Sequence, residues 1–111
     1  MNISHEKKNS VCVVSLEGRL DNETSQGFQE RLGALIDEGE TKLVVNLAKL
    51  EYISSVGLRA FLVSSKKLKP LNGKLVLSQP QAHIQEVFDI AGFSMLFPAY
   101  PSDEEAAKNI A

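Results

Sequence analysis

The sequence predicts a single α/β domain over residues 1–111: a mostly parallel sheet of four to five strands, led by one antiparallel strand, with about four helices. Three observations predict it. Short apolar, β-branched runs alternate with stretches of about ten to fifteen residues whose apolar positions recur every three or four. Glycine and proline punctuate the joins between them. A chain of 111 residues, 43% hydrophobic and 23% charged, suits one soluble domain with a real core.

In order along the chain, the polar segment Asn2 to Lys8 reads as an edge strand, and Asn9-Ser10 as a turn into the apolar strand Val11 to Leu16. Gly18 is expected to end that strand. Asp21 or Asn22 then caps a helix whose apolar face is Phe28, Leu32, Leu35 and Ile36, closed by Gly39 as its C′ residue. KLVVNLAKLEYI is apolar and β-branched up to Asn46, a buried strand over Leu43 to Leu47 followed by a short loop. Next comes YISSVGLRAFLVSSKKLK, in which Leu58, Phe61, Leu62 and Leu68 fall on one side of a helix that stops at Pro70. Asn72-Gly73 turns the chain into the strand Lys74 to Leu77. Pro80 fits the first turn of a third helix, with Ile84, Val87, Phe88 and Ala91 inward and Gly92 as its stop. A short strand is expected over Ser94 to Phe97, ended by Pro98 and Pro101, and Ser102 with Glu105 makes a capping box for a last helix through Ile110.

If consecutive strands are neighbours, right-handed crossovers set their helices on one side, giving a βα superhelix with one sheet face covered and the other partly open. Sites in such sheets gather at the carboxyl ends of the strands, which brings the loops after Leu16 and Leu47 together and places Asp21 near Ser55.

The serine pair that opens the second helix has three readings. Ser54 is a plausible N-cap, and a cap is all a serine before a helix usually is. A hydrolase nucleophile would need G-x-S-x-G, and no glycine precedes these serines. A phosphorylation switch fits the third way: phosphate on Ser55 would suit the positive pole of the helix while rewriting the charge of an exposed surface.

Elsewhere the chain offers little chemistry. Twelve basic and fourteen acidic residues give a formal charge of −2, with no whole-molecule field toward nucleic acid or anionic membrane. The lone Cys12, inside an apolar run, reads as a buried small hydrophobe and fits a reducing, cytoplasmic home. The amino terminus lacks a signal-peptide run, and no stretch approaches the ~18 apolar residues of a spanning helix. His5 and His83 have no partner at metal-ligand spacing, and the glycines form no phosphate cradle, so no metal, cofactor or enzymatic activity is expected. The acidic start of the last helix, Asp103-Glu104-Glu105, and Lys66, Lys67 and Lys69 at the end of the serine helix both suit the helix dipole.

Three segments carry a resemblance: GRLDNETS, LEYISSVGLRAFL and AGFSMLFPAYPSDEEA, in that order. Over nearly its whole length the chain resembles the STAS-domain family of bacterial anti-sigma factor antagonists. The resemblance implies a phosphoprotein in a partner-switching system: the unphosphorylated antagonist binds an anti-sigma factor, often itself a serine kinase, and so frees a sigma factor. A PP2C-type phosphatase reverses the modification. On the family's D-S-S/T-G-L pattern Ser55 takes the phosphorylated position, with Ser54 as alternative acceptor standing where an aspartate is common, and Val56 stands where a small residue is common. Asp21 matches an acidic residue of the partner surface, which is then Asp21, Ser54, Ser55 and Val56. The family also includes constitutive scaffold subunits of larger regulatory or transport complexes, in which Ser55 would serve only the helix start.

Overall fold

The computed structural model describes residues 1–110. Polar, exposed β1 (Asn2–Lys8) lies antiparallel to β2 (Val11–Leu20), joined through Asn9 at φ 59°, where asparagine tolerates the left-handed conformation. Then follow α1 (Ser25–Asp37), β3 (Lys42–Ile53), α2 (Ser55–Leu68), a 3-10 turn over Lys69–Leu71, β4 (Lys74–Ser78), α3 (Ala82–Ile90), β5 (Ala99–Tyr100) and α4 (Asp103–Ile110). The strands stand in sequence order, β1-β2-β3-β4-β5, and every pair after the first is parallel. This is the predicted α/β architecture.

The first three helices cover one face of the sheet. Alternation in β2 turns Cys12, Val14 and Leu16 toward them, to meet Leu43, Val45 and Leu47 of β3 and the apolar stripes of the helices. Phe61 of α2 is the hub, with its ring centroid 5.0 Å from that of Phe28, 5.3 Å from Phe88 and 5.8 Å from Phe97. Burial pushes the Cys12 thiol up, which keeps it protonated as a small hydrophobe. The second face is not left open: α4 lays Ala106 and Ile110 on Val11, Val13, Val44 and Val76. Its start is tied down by Asp103, whose carboxylate accepts hydrogen bonds from Asn46 Nδ2 (3.0 Å) and from the buried Ser78 hydroxyl. Among the described residues no helix is long and apolar enough to cross a membrane.

Several expected boundaries move. Gly18 does not end β2: at φ +112° it sits in a bulge where the register with β3 slips, and the strand runs on to Leu20. β3 likewise continues through Ile53 where a loop was expected, because the prolonged β2 supplies it with a partner. Neither Asp21 nor Asn22 caps α1. The N-cap is Thr24, without a side-chain cap bond, because residues 21–24 form a turn of their own. Pro80 lies before α3, whose N-cap is Gln81, and Gln81 Nε2 reaches the carbonyls of Ala48 and Leu50 at 3.0 Å each. Ala91 is the exposed C-cap rather than part of the inward face. The strand expected over Ser94 to Phe97 is a series of turns anchored by buried Phe97; β5 lies between the two prolines instead, pairing through Pro98 O and Tyr100 O with the N–H groups of Leu77 and Gln79. Parallel strands accept a ladder bond at a proline carbonyl, so proline flanks the strand without breaking it. Ser102 caps α4 as expected, accepting from Glu105 N at 3.1 Å.

α2 approaches the end of β2 at Gly57, where a β-carbon would lie 2.9 Å from Leu20 O and 3.0 Å from Ile53 Cγ1. Gly27 of α1 has open space around it. Gly57→Ala is therefore expected to lose about 1–3 kcal/mol by overpacking, and Gly27→Ala to gain about 0.5–1 kcal/mol by lowering the entropy of the unfolded chain. Urea unfolding of the two variants beside the parent checks both signs; a neutral Gly57→Ala would contradict the close approach.

Candidate functional site

The carboxyl ends of β2 and β3 lie side by side, with Arg19 opposite Tyr52 and Leu20 opposite Ile53. From there each chain turns into its helix, and the two turns are stitched together: Ser54 N–H donates to Leu20 O at 2.9 Å. No loop separates β3 from α2. Ser54 is extended at φ −93°, ψ 173°, its hydroxyl accepts from Gly57 N–H at 3.1 Å, and its carbonyl receives the first helical bond from Leu58. The capping role predicted for Ser54 is thus observed. Ser55 is the first helical residue, exposed, and Val56 beside it keeps 42% of its surface in solvent. With the Gly57 and Leu58 donors taken, the N–H groups of Ser55 and Val56 are the first-turn donors facing outward, at the positive pole of a helix that carries no acidic residue in its first turn.

Across the stitch, Asp21 builds a compact turn. Its Oδ1 accepts from Glu23 N–H (3.0 Å) and Thr24 N–H (3.1 Å), and its own N–H donates to Thr24 Oγ1 (2.9 Å), whose hydrogen goes to Arg19 O (2.8 Å). Partial desolvation pushes the Asp21 carboxyl up. The hydrogen bonds from Thr24 and Glu23, together with the Arg19 guanidinium 3.9 Å away, outweigh that and hold it below the usual carboxylate range. Asp21 is therefore a fixed anion at neutral pH.

The structure brings Asp21, Ser54, Ser55 and Val56 to one edge, as the strand-end argument predicts, and adds two residues that the sequence reading missed. Arg19 lies with its guanidinium carbon 4.3 Å from the centroid of the Tyr52 ring; the Arg19 side chain is largely exposed, and Tyr52 keeps 40% of its surface in solvent. Both stand within the motif segments GRLDNETS and LEYISSVGLRAFL, but their contact depends on the register slip at Gly18, which no spacing in the sequence reveals. Neither histidine serves Ser55 as a base. His83 is engaged with Glu51 O at 2.7 Å and His5 with Arg31 at 3.0 Å, both outside the cluster, and no three metal-ligating side chains gather among the described residues. What the edge does present is a hydroxyl at a positive helix pole, flanked by an apolar side chain and a fixed carboxylate.

A depressed carboxyl stabilises the fold above its unfolded pKa, about 4, and that contribution disappears as the pH falls through the lower folded value. Asp21→Asn keeps acceptors for the turn but cannot titrate. Its urea midpoint should fall less steeply than the parent's between about pH 5 and pH 2; parallel acid limbs would count against the ionised turn.

Comparison with known proteins identifies the family and the fold. The STAS domain family model matches residues 2–106. The candidate anti-sigma factor antagonist BtrV of Bordetella bronchiseptica is 36% identical over 107 residues, covering 96% of this chain and 92% of its own. An anti-sigma factor antagonist from Mycobacterium paratuberculosis superposes with a TM-score of 0.88 at 25% identity, covering 98% of this chain and 92% of that one. The unphosphorylated form of the anti-sigma factor antagonist SpoIIAA shares the fold with a TM-score of 0.85 at 22% identity, over 98% and 96% of the two chains. With the family model spanning residues 2–106, a relative of 36% identity and the same fold in the solved structures, the chain belongs to the STAS-domain family.

Proposed function

We propose that this protein is an anti-sigma factor antagonist whose binding to an anti-sigma factor kinase is switched by phosphorylation of Ser55. The observation that carries the reading is the exposed Ser55 hydroxyl at the first position of α2, beside exposed Val56 and the anionic Asp21 turn, in a chain whose relatives bear the name of anti-sigma factor antagonists. A kinase needs a hydroxyl that can enter its active site without unfolding the substrate, and Ser55 meets that need. Ser54 does not meet it as well, because its oxygen is engaged with Gly57 N–H. Asp21, Ser54, Ser55 and Val56 form the partner surface, and a PP2C-type phosphatase resets it.

Charge explains the switch. Phosphate on Ser55 adds roughly −1.5 to −2 charges, and the outward N–H groups of the first turn and the helix pole welcome them by only about 0.3–1 kcal/mol. A partner that matched the neutral surface must instead desolvate those charges next to Asp21 and Val56, which costs far more. The fold persists while the complex separates, which is what exchange of one partner for another requires.

Two measurements follow. Ser55→Asp should melt within a few degrees of the parent, whereas Ser54→Ala should lose about 1 kcal/mol with its cap; calorimetric unfolding compares them. In titrations against the cognate kinase, Ser55→Ala should bind and resist modification, Ser55→Asp should bind more than about a hundredfold more weakly, a loss of ~3 kcal/mol, and Ser54→Ala should retain the switch. Equal affinity of the two Ser55 variants would leave the constitutive scaffold reading in its place.

A further inference from the structure

The other end of α2 carries a second surface. The fourteen residues of α2, Ser55 to Leu68, span about 20 Å at the helical rise, so the two surfaces do not overlap. Here β5 leaves the outer side of β4 unpaired beside Leu75, and the 4% of its surface that Leu75 keeps lies in a groove. β5 is only two residues long and pairs with Leu77 and Ser78 alone. Leu77 and Gln79 donate toward β5, so by the alternation of a strand Leu75 aims its N–H and C=O at the same edge, two residues before β5 begins. β5 does not reach Leu75, and among the described residues neither group bonds to a turn or loop.

That unpaired stretch lies in a groove with two adjoining parts of about 540 and 320 Å³, which share Ser65, Gly73, Lys74 and Leu96. One wall is apolar. Met95 is 93% exposed and Leu96 52% exposed, large apolar surface on a loop that is otherwise held firmly: Asp89 accepts from Ser94 Oγ and from Gln85 Nε2, and Phe97 is buried just beyond. The other wall is cationic. Lys66, Lys69 and Lys74 are exposed, and among the described residues none has a carboxylate within ion-pair distance, unlike Lys67, which is bound to Asp37 at 2.8 Å.

We infer that this groove is a docking site for an extended, acidic and apolar segment of a partner protein, added to the edge of β4 beside Leu75. Ladder bonds to Leu75 would fix the segment's register, alternate apolar side chains would cover Met95 and Leu96, and carboxylates would meet the three lysines. An open strand edge is a hazard that proteins usually guard, and lysine at an edge guards against cationic and apolar strands while admitting an acidic one. The site faces away from Ser55 and so would stay available in both phosphorylation states.

The test uses the full chain and a blocked synthetic peptide of alternating Glu and Val residues, followed by amide NMR. Shifts should centre on Leu75, Met95 and Leu96, with slowed exchange of the Leu75 N–H. The triple variant Lys66→Glu, Lys69→Glu, Lys74→Glu should bind the peptide about tenfold more weakly or worse. Should those reversals disturb the spectrum of the fold, Lys66→Gln with Lys69→Gln carries the same comparison. Equal binding of a backbone N-methylated peptide, or of its Lys-Val counterpart, would overturn strand addition by an acidic segment. Lysine-dependent capture by phosphatidylserine vesicles without peptide binding would assign the groove to a membrane surface, and concentration-dependent protection of Leu75 without peptide would assign it to a second copy; either result overturns the inference.

Discussion

At Gly57 the helix carrying Ser55 comes so close to the carbonyl of Leu20 that no side chain fits between them. That approach governs the whole edge. Leu20 O is held by the Ser54 N–H, Ile53 presses from the other side, and the Ser54 hydroxyl closes the first turn over Gly57 itself. Strand end, cap and helix therefore follow one another without a hinge. The surface they present is ordered when the chain folds, so a partner that docks there meets few groups still to be immobilised.

Much of this was legible in the sequence because it depends on local rules. A serine three residues before Gly57, ahead of apolar positions at helical spacing, identifies the cap and the pole of α2, and strands alternating with helices identify the parallel sheet. Whereas the expected cap of α1 was lost to a local turn over residues 21–24, the misread strand boundaries share another cause: the local signal was true but a distant contact decided its use. Gly18 does adopt a conformation that favours glycine, yet β3 pairs across the bulge and carries β2 onward. Ser94 to Phe97 looks strand-like, but Phe97 is recruited by Phe61 and Phe88, and β4 takes its ladder from the residues between the prolines. Arg19 and Tyr52 became neighbours only through that same bulge. The helix-face residues of α1, and Leu58, Phe61 and Leu68 of α2, were placed correctly because a helix defines its own faces, whereas a strand depends on its partner for register; Leu62 is the exception, half-buried at the edge of the α2 face and lining a surface groove.

The electrostatics of α2 are lopsided. No acidic side chain lies in its first turn, and Lys66 and Lys67 sit in its last, so the negative pole is answered from within the helix while the positive pole faces solvent at Ser55. Asp21 contributes charge nearby, but its Oδ1 is committed to the Glu23 and Thr24 N–H groups. The first turn thus retains donors for an incoming anion.

The bonds from Asn46 and Ser78 to Asp103 bear on how the molecule assembles. On the first face each strand lies beside the next one in the chain, and the intervening helices pack over them, so that layer can form progressively as the polypeptide emerges from a ribosome. The second face cannot. Its valines come from β2, β3 and β4, but the helix that covers them is the last element in the chain, and its tether reaches back to β3. Until α4 arrives, a nascent chain exposes a valine patch across the middle of its sheet. Asn46 and Ser78 hold polar hydrogen-bonding groups beside that patch, and both are satisfied by the Asp103 carboxylate only when α4 docks.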